Sequence, residues 1–283
     1  MMEEQGMEPR FTFGWWSTGR DEAAVELLET ALQAMESGRV PGRMGYLFLS
    51  RAPGESRFGD RMAELAAGRG IEVVRLSAAS FQPQLRARDR GRWREEYHRG
   101  VLELLGPFAA DLVVLAGYMW VVSPEACGRL DIINLHPAAP GGPAGTWQEV
   151  IWQLMEEEAP STGVMMHLVT PELDQGPPVT YCTFPIKGGE FDSLWEEFRR
   201  QRERLGMEGI KEEFGESQPL FARIRAEGVR RELPLIVETM RAFATGEVAI
   251  VEKRLVDRRG GALPGPYDLT PAIEAALARG SHA

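Results

Sequence analysis

Cysteine is nearly absent: two residues in 283, Cys127 and Cys182, far apart in the chain. That excludes a disulfide framework and a cysteine-based zinc knuckle, and it fits a reducing compartment. Basic residues are outnumbered, 32 Lys and Arg against 42 Asp and Glu, for a net charge of -10. A general nucleic-acid binder or a protein of anionic membrane surfaces is therefore not expected. Long apolar runs are missing too. The longest, near 112–122, falls short of the roughly 20 residues a spanning helix requires. The opening stretch Met1 to Arg10 is polar and acidic, with no apolar signal core. These absences predict a soluble, cytoplasmic protein with no nucleic-acid and no membrane partner.

What is present is enough apolar material for a core, 43% of the chain, so disorder is not expected. Its spacing alternates between two periods. Apolar runs at 11–16, 44–50, 71–76, 111–117 and 131–135 read as strands, and stretches at 22–35, 60–68 and 88–105 carry helical periodicity. This rhythm implies right-handed crossovers and a Rossmann-like α/β fold, a mostly parallel twisted sheet flanked by helices. Further strands are expected over 163–170 and 179–186, joined by a Pro- and Gly-rich turn. Beyond them lies a C-terminal extension: helical stretches at 191–214 and 218–243, a late strand at 247–255, and a surface tail from 260. No repeat or linker interrupts the chain, so a single domain over 1–283 is the simplest division, with halves of about 11–137 and 138–270.

Chemistry concentrates where the run 131–135 ends, in Asn134-Leu135-His136-Pro137. Two residues apart on a strand, Asn134 and His136 project to one side. Ligands of such sheets bind beyond the carboxyl ends of the strands. An amide that donates to a developing oxyanion, beside an imidazole that exchanges protons near neutrality, is suited to acyl transfer. A carboxylate is needed to hold the ring, and Asp174, within Leu173-Asp174-Gln175-Gly176-Pro177, is a candidate on a loop.

Four segments in order, Leu115-Ala116-Gly117-Tyr118-Met119, Ser123-Pro124, Ile133-Asn134-Leu135-His136-Pro137 and Leu173-Asp174-Gln175-Gly176-Pro177, resemble the folate-dependent formyltransferases, most closely the phosphoribosylglycinamide formyltransferases. The resemblance runs from about Phe13 to about Thr270. It implies the formyltransferase version of the Rossmann-like fold and transfer of a formyl group from 10-formyltetrahydrofolate to a substrate amine, with no metal required. Asn134, His136 and Asp174 would be catalytic and His167 supporting. Folate would lie along Met119, Trp120, Val121, Val122, Val169, Thr170, Leu173 and Pro177. The acceptor's phosphate would meet the loop Ser17, Thr18, Gly19 and Arg20 at a helix start.

This sequence departs from the family pattern at three places. Asp21 brings an opposing charge to the phosphate loop. The glutamate-histidine pair that grips the glycinamide substrate is matched by Val229 and Arg230. Residues 188–215 read as an insertion, which would either cover the acceptor or form a subunit contact in a homodimer. Three readings follow: a formyltransferase with glycinamide ribonucleotide as leading acceptor; the same donor with another acceptor, an amino sugar nucleotide or water; and a non-catalytic folate-binding protein. The simpler readings of the remaining groups are structural. Trp15, Trp16 and Trp120 suit a core, and His98 and His282 suit solvent.

Overall fold

A computed structural model describes residues 11–280. The opening stretch Met1 to Arg10 and His282 lie outside the described residues. The chain divides into two compact units, each assembled from separate stretches. The first runs to Leu135 and takes in His167–Pro177 and Ile236–Pro264; the second comprises His136–Met166, Pro178–Leu235 and the residues from Gly265.

The first unit alternates strand and helix as the sequence predicts: β1 (Thr12–Ser17), α1 (Glu22–Glu36), β2 (Arg43–Leu49), α2 (Arg57–Ala67), β3 (Glu72–Arg75), α3 (Pro83–Arg88), α4 (Arg90–Leu105), β4 (Leu112–Leu115), α5 (Pro124–Arg129) and β5 (Ile132–His136), whose last residue begins the second unit. β1 pairs with β2 and β4, β2 with β3, and β4 with β5, every pair parallel. All residues of β1 and β4 are buried, as strands covered on both faces must be. α1 begins at Asp21, whose side chain accepts from the Ala24 N–H, and buries Ala24, Val25, Leu28, Ala31 and Leu32 on its apolar face. The helix expected over 88–105 is α4, which starts two residues later: Asp89, between Arg88 at the end of α3 and Arg90, is extended (φ -150°) and caps α4 through the Arg92 N–H.

His98 corrects an expectation. The charged stretch around it suggests a solvent group, yet it is fully buried. Its Nδ1–H donates to the Arg94 carbonyl at 2.9 Å, Nε2 meets the Tyr118 hydroxyl at 3.1 Å, and the ring stacks on Trp16. Burial lowers its pKa from 6.5 to about 4. The unfolded chain therefore takes up a proton as pH falls through about 6.5 while the folded chain does not until about 4. Stability is full above that window and is lost on acidification, by on the order of 2 kcal/mol between pH 7 and 5. Urea denaturation against pH should show this slope, and His98→Gln should flatten it.

In the second unit α6 (Trp147–Glu156) starts with a capping box, Thr146 and Glu149. β6 (Ser161–Leu168) starts in this unit, and β7 (Pro178–Pro185) follows. The inserted residues 188–215 form α7 (Glu190–Glu213), broken by a non-helical Gly206, and a short 3-10 turn. Far from being an appendage, α7 contributes Phe191, Trp195, Phe198 and Ile210 to a core shared with Val150 and Leu154 of α6 and Phe221 and Ile224 of α8 (Pro219–Ala244). The Trp195 indole N–H donates to the Ile186 carbonyl.

The late strand 247–255 is a hairpin in the first unit, β8 (Val248–Val251) and β9 (Arg254–Asp257), turned by Glu252 and Lys253 at positive φ. The tail read as a surface segment is structured: β10 (Tyr267–Asp268) pairs parallel with β7, and α9 (Thr270–Gly280) buries Ile273. No helix among the described residues is long and apolar enough to cross a membrane.

Candidate active site

The end of β5 and the segment 167–177 bring three polar side chains of the first unit together. Asn134, half-buried, places its amide nitrogen 3.1 Å from Nε2 of His167. The buried His167 ring directs Nδ1 to the Leu168 carbonyl oxygen at 3.1 Å. A carbonyl only accepts, so Nδ1 carries the proton. In the neutral ring Nε2 is then the acceptor for one Asn134 N–H. Oδ1 of Asp174 stands 3.6 Å from the same Nε2, just outside direct hydrogen-bond range. Asp174 itself adopts φ +54°, an uncommon conformation that aspartate tolerates better than most residues.

His136 closes β5 and is buried; its Nε2–H donates to the Pro143 carbonyl at 3.1 Å. Asp174 stands beside His167, the supporting histidine of the sequence analysis.

The expected phosphate loop is connected internally. Thr18 N–H donates to the Gly117 carbonyl, Gly19 N–H to Ser17 Oγ, and Met119 N–H to Thr18 Oγ1, which also accepts from Ser50 Oγ. Gly19 sits at φ +58° against the Gly59 backbone, a place closed to any side chain. Asp21 occupies the N-terminus of α1 and pairs with Arg20 at 3.2 Å. Of the expected folate-lining residues, Met119 and Leu173 are exposed by 50% and 62%. Trp120 packs on Trp93 and donates to Ser50 Oγ, while Val122 lies within the core and Val169 packs against it. Val121 and Thr170 are half-buried. Trp15 and Trp16 are fully buried, as expected. Both cysteines are buried, and desolvation pushes each thiol up to about 11, which removes them as nucleophiles near neutrality.

The profile of the formyl transferase family matches residues 64–204. The chain belongs to the formyl transferase family. Phosphoribosylglycinamide formyltransferase of Escherichia coli K12 is 29% identical over 167 residues, 58% of this chain and 69% of that protein. Among solved structures, phosphoribosylglycinamide formyltransferase of Coxiella burnetii aligns with a TM-score of 0.60 at 15% identity over 91% of this chain and 98% of that one. A formyltetrahydrofolate deformylase of Pseudomonas putida KT2440 aligns with 0.55 at 18% over 89% and 70%. At these identities the structural likeness is one of fold: the formyl transferase sheet, mostly parallel and flanked by helices.

Proposed function

We propose that this chain transfers a formyl group from 10-formyltetrahydrofolate to the amine of a small substrate, with glycinamide ribonucleotide the leading acceptor, in the cytoplasm. The observation that carries the reading is the Asn134, His167 and Asp174 cluster at the end of β5, in a chain of this family. The folate supplies an activated formyl carbon. The amine nitrogen bonds to the formyl carbon while the second N–H of Asn134 polarises the formyl oxygen; His136 takes the proton the amine loses and returns it to N10 of the folate as the carbon–N10 bond breaks. Asp174 lies beside the His167 ring that Asn134 holds, and helps fix the geometry of the cluster. The exposed apolar side chains of Met119 and Leu173 suit the flat face of a folate, which would remove them from water.

The test is product analysis by mass spectrometry with 10-formyltetrahydrofolate and glycinamide ribonucleotide. Formylated acceptor at catalytic turnover is expected. Free folate formed at the same rate without any amine would overturn the reading in favour of hydrolysis. One observation favours that second reading: at the helix start where an acceptor phosphate should lie, Asp21 already supplies the anion. Asn caps a helix as well as Asp does, so Asp21→Asn removes the charge and keeps the fold. If the loop holds a phosphate, KM for glycinamide ribonucleotide should fall about 10-fold, the effect of roughly 1.4 kcal/mol of relieved repulsion. An unchanged KM in a steady-state titration would exclude this loop as the phosphate site.

A further inference from the structure

A cavity of about 300 Å³ opens in the second unit between the end of β7, the start of α7 and one face of α8. That face presents Arg223, Glu227, Arg230 and Arg231, spaced by helical turns. Glu227 is 8% exposed, and a carboxylate so placed requires a cation. Arg231 supplies it at 2.7 Å and is anchored in turn by Glu274, also at 2.7 Å. That pair satisfies the structural need.

Arg223 and Arg230 then go beyond it. They reach the same carboxylate at 3.2 and 3.1 Å, with side chains 40% and 50% exposed. Arg223 Nε is buried with no hydrogen-bond partner among the described residues, an unmet donor that costs free energy unless something accepts from it. Lys187 is the fourth cation of the lining. Its nearest carboxylate, Glu158, is 3.8 Å away and is already held by Arg199 at 2.9 Å and Arg202 at 2.7 Å. Against the four cations of the lining stand its two carboxylates, Glu190, paired with Arg223 at 2.7 Å, and Glu227, and Glu274 outside it on Arg231, which leaves one cation in excess. In a chain of net charge -10 this local excess runs against composition. α7 begins at the cavity with Gly189 as its cap; Glu190 and Asp192 in its first turn, Asp192 accepting from the Gly188 N–H at 2.8 Å, already answer the positive end of its dipole. Phe184 and Phe191 supply apolar surface beneath the guanidinium groups of Arg231 and Arg223, at 4.3 and 5.8 Å. The volume exceeds that of a lone phosphate: at roughly 30 Å³ per water it holds about ten.

We propose that this cavity binds a small organic phosphate, its phosphate on Arg223 and Arg230 and its apolar portion over Phe184 and Phe191. The inference is independent of the formyl-transfer reading, because its readout is binding. Phenyl phosphate is titrated calorimetrically into the full chain, beside inorganic phosphate and benzoate at equal ionic strength. One-to-one binding is expected, at least 10-fold tighter for phenyl phosphate than for the other two, and weakened at least 10-fold in Arg223→Gln/Arg230→Gln but not in Arg92→Gln, an exposed arginine of α4. Absence of saturable binding, equal binding by the double variant, or an equal loss in Arg92→Gln would each overturn the proposal. A benzoate that binds as tightly would also overturn it, as a general carboxylate site. Should the double variant misfold, protection of Arg223 and Arg230 from phenylglyoxal by phenyl phosphate, read by peptide mass in the unsubstituted chain, decides the same question.

Discussion

Asn134→Ala lowers kcat roughly 10²- to 10³-fold while leaving KM for the folate little changed, the loss expected when a donor to a developing oxyanion is removed. The geometry adds a second effect. One Asn134 N–H holds Nε2 of His167, so alanine removes the contact that fixes the ring as well as the donor to the formyl oxygen. Residues joined in one hydrogen-bond network are not additive. On a His167→Ala background, Asn134→Ala should therefore cost less than it does alone. Pre-steady-state turnover of the two single variants and the double variant separates the cases. Equal costs on both backgrounds would assign Asn134 to the substrate alone. A kcat within threefold of the parent chain would remove Asn134 from the chemistry.

The alternating half of the fold is legible because each buried strand must be a short apolar run and each crossover helix must carry an apolar stripe; β1 and β4, wholly buried, are the clearest cases. Short elements escape this logic. α5 has six residues, too few for a helical period to emerge, although Ser123-Pro124 is a proper cap and first turn. α6 carries a capping box in Thr146 and Glu149, but the Gly- and Pro-rich residues before it obscure the signal. α9 opens with Thr270-Pro271 and continues in alanine, a good helix start placed directly after a stretch dense in breakers. His98 could have been placed from its neighbours, since Trp93, Tyr97, Val101 and Leu105 form one apolar stripe that passes beside it.

The site was legible in part. Asn134 follows from a strand that ends on a polar group, and Asp174 from a loop rich in Gly and Pro. Their meeting with His167 depends on the turn of 167–177, where a positive φ at Asp174 and a close backbone approach at Gly176 set the path. Nothing in a linear pattern encodes such a path. The acceptor side is obscured for a different reason: Asp21 and the residues of 188–215 are built into a helix cap and a core, roles that carry no sign of what they bind.

The close approach at Gly176 leads to the second large effect. A β-carbon added there would overlap the Leu168 carbonyl oxygen, lying 2.8 Å from its carbonyl carbon and 3.3 Å from Thr170 Cγ2. The obstacle is backbone, and it is pinned: Leu168 N–H donates to the Pro177 carbonyl at 2.9 Å, and Val169 N–H to the Ile132 carbonyl at 2.8 Å. No rotamer change relieves it, so Gly176→Ala must shift the loop, at a cost of about 1–3 kcal/mol or more. The same oxygen accepts from His167 Nδ1. Moving it loosens the proton on Nδ1 and carries Asp174, two residues before the glycine, away from Nε2. Gly176→Ala should therefore lower kcat by at least 10²-fold while the protein remains folded, a loss larger than its destabilisation explains at a temperature well below the Tm. Thermal denaturation paired with turnover checks this. A fully stable, fully active Gly176→Ala protein would mean that the loop path, and with it the Asp174 to His167 contact, is not what the chemistry uses.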